Sequence, residues 1–206
     1  SSMSGEGKTF FSINLGCALA ISGKKVVLVE MDLRKPKISK EFGLSKEDGF
    51  SNYMVANMQK EQLPKPTTVH PNLYVISSGT IPPNPAELLL QDKVEELFKY
   101  LRNEFDYIIV DTPPVGLVTD AILVAKHADA SVYIIRQKLT YKHQLSIIND
   151  LAAGAKMPNL CLLINDVKIQ SGYGYGYGYG YGYGYGSSEG YYSDAKKSRW
   201  GFFKKN

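Results

Sequence analysis

The fold of this chain is decided by its first nine residues, Ser1-Ser2-Met3-Ser4-Gly5-Glu6-Gly7-Lys8-Thr9. They match the phosphate-binding pattern G-x-x-x-x-G-K-[ST], except that Ser2 stands where the first glycine belongs. In such a loop the backbone N–H groups surround a polyphosphate, Lys8 reaches its outer phosphates and the Thr9 hydroxyl binds Mg²⁺. The pattern therefore predicts a nucleotide site, with a chance glycine-rich turn as the alternative.

A helix is expected directly after this loop, because a helix N-terminus adds its free N–H groups and its dipole to anion binding. Residues 10–21 carry apolar side chains at helical spacing, and Gly23 is placed to end the helix. Loops of this kind follow a buried strand, so the sequence is expected to be a piece of a longer protein. The residues predicted to bind ATP in this region are Ser4, Gly5, Glu6, Gly7, Lys8, Thr9 and Phe10.

Short apolar runs rich in β-branched residues predict buried parallel strands. They span residues 25–30, 73–76, 107–110, 131–135 and 160–164. The clearest helical pattern between them begins with Asn84 as N-cap and Glu87 in its first turn, and continues as one apolar stripe to Leu101. Strands that alternate with helices predict an α/β fold with a doubly wound, mostly parallel sheet.

Three carboxylates stand where predicted strands end, namely Glu30, Asp32 and Asp111. Ligands of doubly wound sheets bind at this edge, which also carries the phosphate-binding loop. We expect Asp111 to orient Mg²⁺, and Asp32 to contact Mg²⁺ or to accept a hydroxyl proton. Glu30 is a further candidate metal ligand. The alternative is that these acids only cap loops.

The composition indicates one domain followed by a tail. The 206 residues have a formal net charge of +4. Residues 187–206 hold +3 of this, because five Lys or Arg residues face two acidic ones there, so the domain is nearly neutral. A nucleic-acid-binding surface would need a basic stripe on the domain, and no nucleic-acid partner is expected. Cys17 and Cys161 lack metal-ligand spacing and are predicted to be reduced core residues.

Glycine and tyrosine alternate strictly over residues 172–186. A segment without aliphatic residues cannot form a packed core, so we predict a domain over 1–170 and a disordered tail over 171–206. Glycine leaves each tyrosine accessible, which suits a phosphate acceptor, whereas a low-complexity linker is the alternative. The candidate acceptors are Tyr173, Tyr175, Tyr177, Tyr179, Tyr181, Tyr183, Tyr185, Tyr191 and Tyr192.

Four segments together resemble the bacterial tyrosine kinases of capsule and exopolysaccharide synthesis. They span residues 5–9, 27–36, 78–89 and 107–114, and the tyrosine-rich tail resembles the autophosphorylation cluster of that family. The resemblance covers roughly residues 1–166 and implies a P-loop ATPase fold of the ParA and MinD type. It also implies an ATP-dependent protein-tyrosine kinase that phosphorylates its own tail.

The resemblance assigns roles to individual residues. Lys8 and Thr9 correspond to the Walker-A lysine and its Mg²⁺ ligand, and Asp111 corresponds to the Walker-B acid. Asp32 corresponds to the second acid of an acid-x-acid motif. The first acid of that motif is usually Asp and here is Glu30, whose longer side chain favours a water-mediated metal contact.

Ligands and partners are also implied. ATP and Mg²⁺ are the expected cofactors, and Asn165 resembles the residue that reads adenine in related ATPases, with an ordinary turn residue as the alternative. The expected partners are further copies of the chain, a membrane activator or chain-length domain that is fused upstream or separate, and a protein-tyrosine phosphatase. The implied location is the cytoplasmic face of the bacterial inner membrane, where the parent protein would regulate polysaccharide chain length and export.

Two other functions stay open. A partition or septum-positioning ATPase of the ParA and MinD type would use ATP as a dimerisation switch, but such proteins typically carry a signature lysine where this chain has Met3. A scaffold could use the nucleotide site only to control assembly with a polysaccharide export complex. The intact set of Lys8, Asp32 and Asp111 favours an enzyme.

Overall fold

A computed structural model of the chain describes residues 1–45, 48–56 and 58–168. The predicted tail, with all nine candidate acceptor tyrosines, lies outside the described residues, so the boundary at residue 170 stays a prediction. The described helices are α1 (Lys8–Ile21), α2 (Ile38–Glu41), α3 (Phe50–Val55), α4 (Pro85–Leu89), α5 (Asp92–Glu104), α6 (Asp120–Ala125) and α7 (Ser146–Ala153), with 3₁₀ turns at Lys60–Gln62 and Lys142–Leu145. The strands are β1 (Val26–Glu30), β2 (Lys65–Pro66), β3 (Leu73–Ile76), β4 (Tyr107–Asp111), β5 (Ser131–Arg136) and β6 (Leu160–Asn165). None of the described helices has both the length and the apolar character that crossing a bilayer requires.

The strands are divided between two sheets. In the larger sheet the order is β2-β3-β1-β4, with β1, β3 and β4 parallel and β2 antiparallel to β3. β5 and β6 form a separate parallel pair. All five predicted strands are therefore confirmed, but their division into two sheets is not visible in the sequence. Local patterns report which residues are extended, whereas ladder pairing depends on contacts between distant segments.

Both faces of β1 are covered, as a doubly wound sheet requires. Successive strand residues point to opposite faces, so Val27 packs in one core cluster with Leu97 of α5 while Leu28 packs in another with Ala20 of α1. Gly16 permits the close approach of α1, because a Cβ atom there would lie 2.7 Å from a methyl carbon of Leu28. The helix that follows the phosphate-binding loop is thereby held against the centre of the sheet.

The predicted continuous helix from Asn84 to Leu101 is wrong, because the structure has two helices, α4 and α5. The N–H groups of Leu90 and Gln91 donate to carbonyls three residues earlier, which ends α4 in a tight turn, and Gln91 is extended. The Asn84 side chain donates to the Glu87 carboxylate at 3.0 Å and does not cap the backbone. An unbroken apolar pattern is therefore compatible with a break in the helix.

The predicted burial of Cys161 is also wrong, since its side chain is exposed on β6 together with Leu162 and Ile164. Parallel strands are normally covered on both faces, which is why an apolar run predicts burial. In the described part of the chain, α7 contributes one buried residue, Leu151, so much of β6 is uncovered. Cys17 is half-buried on α1, and both thiols are free, as predicted.

Candidate active site

The loop over residues 4–7 has the backbone shape of a phosphate cradle. Gly5 and Gly7 have φ angles of 89° and 102°, in the left-handed region that glycine adopts without strain. α1 begins at Lys8 directly after the loop, and no side chain among the described residues caps its N-terminus. A Cβ atom at Gly7 would lie 2.2 Å from Nδ2 of Asn165, so a larger residue there would displace the Asn165 amide from its bond to Glu6. These features fit a bound phosphate chain.

Donors at the ends of β5 and β6 orient the peptide planes of this loop. Nη1 of Arg136 donates to the Gly5 carbonyl at 3.0 Å, and Nδ2 of Asn165 donates to the Glu6 carbonyl at 3.0 Å. In a trans peptide the C=O and the following N–H point in opposite directions. The N–H groups of Glu6 and Gly7 therefore point away from these donors, toward the cavity that Gly5 and Gly7 line.

Glu6 supports the loop from within and does not line the cavity. Its buried carboxylate accepts hydrogen bonds from the Ser2 hydroxyl at 2.8 Å, the Met3 N–H at 2.9 Å and the Thr140 hydroxyl at 2.5 Å. Burial acts to raise the pKa of Glu6, but the hydrogen bonds from Met3, Thr140 and Ser2 outweigh it, and the pKa is lowered. Glu6 thus joins the loop to the segment after β5.

Thr140 and Arg136 are the loop-supporting residues that the sequence analysis missed. They contact the loop across 134 and 131 residues of chain, and neither belongs to a motif that names a function. A second contact joins the same two segments, because the Ser2 hydroxyl, which donates to Glu6, also lies 3.4 Å from Oε1 of Gln144. Arg136 ends β5, so the rule that strand ends meet at one edge of a sheet could have marked it, whereas no local pattern marks Thr140 or Gln144.

Lys8, Thr9 and Asp111 come together as predicted from the motifs. Nζ of Lys8 donates to the Ser1 hydroxyl at 2.8 Å and to the Met3 carbonyl at 3.3 Å. The Thr9 hydroxyl donates to Oδ2 of Asp111 at 2.8 Å. The end of β4 is thereby joined to the first turn of α1, which places an acid beside the phosphate-binding loop.

Burial shifts the pKa values of the charged groups in this cluster. Asp111 is only 4% exposed, and burial raises the pKa of its carboxyl group to about 6, against the hydrogen bond from Thr9 and the charge of Lys8. Burial likewise lowers the pKa of Lys8, although Asp111 opposes this. A buried charge is stabilised when a counter-charge binds beside it. A cation beside Asp111 and an anion beside Lys8 would each supply one.

Asp32 is held in a fixed turn at the same end of the cavity. Its Oδ1 atom accepts the backbone N–H groups of Arg34 at 3.3 Å and Lys35 at 2.9 Å. The guanidinium of Arg34 makes two hydrogen bonds to the buried carboxylate of Asp120, at 3.0 and 3.2 Å. This ion pair ties the loop after β1 to the N-terminus of α6. The turn uses Oδ1, and no described residue donates a hydrogen bond to Oδ2 of Asp32, which is therefore available to a ligand.

Glu30 is not brought into this cluster, although its strand neighbour in the ladder is Asp111. Its carboxylate is fully buried and accepts the backbone N–H groups of Lys37 and Ile38 at 2.5 Å, of Ser39 at 3.3 Å and of Ser78 at 3.1 Å. These bonds cap α2 and fix the chain after β3. We therefore leave Glu30 out of the proposed metal ligands.

A cavity of about 760 Å³ opens over the loop and runs along α1 toward Phe42 and Val69. Asn165, the predicted adenine contact, does not line it, because both parts of its amide are engaged on the other side of the loop. Nδ2 donates to Glu6, and Oδ1 accepts the N–H of Asp166 at 2.9 Å. The predicted site residues that do line the cavity are Ser4, Gly5, Gly7, Lys8, Thr9, Phe10 and Asp32.

The cluster fits a magnesium ion whose shell is completed by phosphate and water. The Thr9 hydroxyl and the Asp111 carboxylate are oxygen donors 2.8 Å apart. Mg²⁺ commonly takes one or two protein oxygens and fills its octahedron with substrate phosphates and water. Within the described residues, no group of three or more His, Cys, Asp or Glu side chains is arranged to hold a metal alone. A nucleotide would thus complete the site.

Replacing Asn165 by Ala is expected to weaken the binding of ATP about fivefold, since one orienting hydrogen bond contributes about 1 kcal/mol. Inorganic tripolyphosphate should lose the same factor, because the bond orients the loop and not the base. Calorimetric titration of both ligands measures this. Asn149→Ala, at an exposed position of α7, is the matched control and should leave both affinities unchanged. A loss confined to ATP would contradict the orienting role and favour a contact with adenine.

Comparison with known proteins identifies the family. Residues 2–151 match the family model described as AAA domain. Tyrosine-protein kinase YwqD of Bacillus subtilis is 36% identical over 165 residues, which are 80% of this chain and 69% of that protein. Tyrosine-protein kinase ptk of Acinetobacter johnsonii is 35% identical over 168 residues, which are 81% of this chain. The chain spans only 23% of the length of that relative.

Solved structures agree on the fold. The kinase domain of the Escherichia coli tyrosine kinase ETK superposes with a TM-score of 0.72 at 29% identity, covering 85% of this chain and 70% of that domain. The septum site-determining protein MinD of Pyrococcus horikoshii, solved with Mg-ADP, superposes with a TM-score of 0.63 at 21% identity and covers 78% of this chain and 65% of its own. The predicted P-loop ATPase fold is confirmed, and the chain belongs to the family of bacterial tyrosine-protein kinases.

Proposed function

We propose that the chain is an ATP- and Mg²⁺-dependent protein-tyrosine kinase. The observation that carries the proposal is the convergence of Lys8, Thr9 and Asp32 at one end of a large cavity, with Asp111 joined to them through Thr9. Phosphoryl transfer needs a loop for the polyphosphate, an acid for the metal and an acid near the incoming hydroxyl. The names of the relatives support the same activity.

In the proposed reaction the N–H groups of the loop and Lys8 bind the outer phosphates of ATP. Thr9 and Asp111 would hold Mg²⁺, which would offset the charge of the outer phosphates. Asp32 accepts the proton of the tyrosine hydroxyl through its free oxygen. The bond between the γ-phosphorus and the ADP oxygen breaks as the bond to the tyrosine oxygen forms. The products are phosphotyrosine, ADP and a proton on Asp32.

The proposed acceptors are the nine tyrosines between residues 173 and 192, phosphorylated on a neighbouring copy of the chain. Each phosphate adds about −1.5 to −2 charges, so extensive phosphorylation would reverse the charge of the tail and repel the copies from one another. We place the protein at the cytoplasmic face of the inner membrane, with a membrane activator or chain-length domain and a protein-tyrosine phosphatase as partners. Its proposed role is the control of capsular or exopolysaccharide polymerisation and export.

Intact mass tests this proposal directly. The full chain incubated with ATP and Mg²⁺ should gain a ladder of phosphate masses, while Lys8→Met and a variant truncated after Ser171 should gain none. Lys24→Met is the matched control and should retain the ladder, because this exposed lysine precedes β1 at the edge of the sheet opposite the site. Hydrolysis of ATP without added mass would overturn the kinase and leave a dimerisation switch of the MinD type.

A further inference from the structure

The cavity has a second end that the phosphate-binding residues do not fill. Beyond Thr9, its wall is made by apolar side chains of α1 and of the loops facing it, including Phe10, Ile13, Phe42, Val69 and Leu117. Phe10 is 70% exposed and Leu117 is 66% exposed. Large apolar side chains grouped around an opening mark a surface that is covered by a ligand or partner. This end of the cavity is called the apolar groove below.

Of the two residues that the sequence assigned to the base and to the acceptor hydroxyl, only the second lines the cavity. Asn165, the residue predicted to meet adenine, lies on the β6 side of the loop and is absent from the cavity lining. Asp32, the proposed acceptor of the hydroxyl proton, does line the cavity. The groove therefore adjoins the position where the acceptor hydroxyl must arrive, and its apolar wall can pack against an aromatic ring.

Cationic side chains flank the same opening. Lys35 and Lys37 are exposed, line the cavity and form no salt bridge with any residue that the structure describes. Arg34 is neutralised by Asp120. Two acidic side chains also line the cavity. They are Asp32, whose Oδ1 atom accepts a hydrogen bond within the turn of residues 32–35, and Glu41 on α2. Lys35 and Lys37 thus place two positive charges at the mouth of the groove, beside the carboxylates of Asp32 and Glu41.

We propose that the apolar groove binds the acceptor tyrosine, and that Lys35 and Lys37 select acceptor segments that carry negative charge beside it, above all a neighbouring phosphotyrosine. This inference rests on the proposed kinase function and adds its substrate class. The ring packs on the apolar wall, the hydroxyl faces Asp32, and the flanking anion lies near the lysines. A charge pair at a solvent-exposed site is worth up to about 1 kcal/mol, which corresponds to a preference of about fivefold.

A preference for a neighbouring phosphotyrosine would affect the tail strongly, because its tyrosines are closely spaced in the sequence. Tyrosines recur at every second position from Tyr173 to Tyr185. In any extended peptide, this spacing corresponds to about 7 Å along the backbone between a phosphorylated residue and the next acceptor. The first phosphate on a tail would then accelerate the phosphorylation of its neighbours. Partly modified chains should be depleted, and unmodified and highly modified chains should dominate the mass ladder at intermediate times.

Three synthetic acceptors test the inference with the full chain. The neutral peptide is Gly-Phe-Gly-Tyr-Gly-Phe-Gly, and in the other two one Phe is replaced by phosphotyrosine or by Lys. The wild type should show a kcat/KM about fivefold higher for the phosphotyrosine peptide than for the neutral one, and lower for the Lys peptide. The ratio should fall with added salt, because exposed charges are screened.

Reversing the charge of single lysines tests whether Lys35 and Lys37 cause the preference for the phosphotyrosine peptide. Lys35→Glu and Lys37→Glu should each bring the ratio of the two kcat/KM values to about one or below, whereas Lys24→Glu makes the same change in net charge far from the groove and should preserve it. Equal rates for the three peptides in the wild type, or ratios that the groove variants leave unchanged, would overturn this inference alone. Failure of every peptide and of the tail to gain phosphate would instead overturn the proposed function.

Discussion

Asp111→Asn is expected to abolish phosphoryl transfer and to stabilise the folded chain above pH 7. The carboxylate is a proposed Mg²⁺ ligand, and removing such a group should lower kcat at least about 10²–10³-fold. The same carboxylate is buried, and its pKa rises from an ordinary 3.8 to about 6. Keeping it ionised in the fold therefore costs about 3 kcal/mol without a metal, and the neutral Asn should recover up to that amount.

The stabilising effect of Asp111→Asn should depend on pH. A carboxyl group with a raised folded-state pKa stabilises the fold fully below pH 3.8, and the contribution is lost as pH rises through about 6. Urea unfolding of both proteins between pH 4 and 8, without Mg²⁺, should show the advantage of Asp111→Asn growing across that window. Asp120→Asn is the matched control and should destabilise, because it removes the partner of Arg34. Equal stability of Asp111→Asn and wild type at pH 8 would refute the account.

Glu30→Ala is expected to lower the free energy of unfolding by about 4 kcal/mol. Four backbone N–H groups donate to the Glu30 carboxylate, and hydrogen bonds to a charged group are worth about 1.5–3 kcal/mol each before water partly replaces them. Glu30→Gln should lose about half as much, since one amide oxygen still accepts while the amide N–H₂ faces donors. Chemical denaturation measures both.

The control for this prediction lies on the helix that Glu30 caps. Glu41→Ala, at an exposed position of α2, should change the free energy of unfolding by less than about 0.5 kcal/mol. A metal ligand would behave differently, because Glu30→Gln would then keep its stability and lose affinity for Mg²⁺ in the presence of ATP. That result would show that Glu30 is a metal ligand.

Much of the candidate site was visible in the sequence because its signals are local. The loop that ends in Lys8 and Thr9 is a contiguous motif, and a strand-end acid such as Asp111 is marked by the apolar run before it. Parallel strands end at a common edge, so the position of these residues along the chain predicts their proximity in space. The same reasoning placed Asp32 correctly at the edge of the cavity.

The sequence by itself therefore determined the α/β class, the five parallel strands, the phosphate-binding loop and the edge of the sheet at which its partners meet. Only the tertiary structure decided that Glu30 caps α2, that Asn165 and Arg136 orient the loop, and that the predicted helix breaks at Leu90. The physical reason is the distance along the chain over which each kind of interaction acts. Propensity and periodicity act over a few residues, whereas a buried carboxylate or amide takes whichever donors and acceptors packing brings to it from distant parts of the chain.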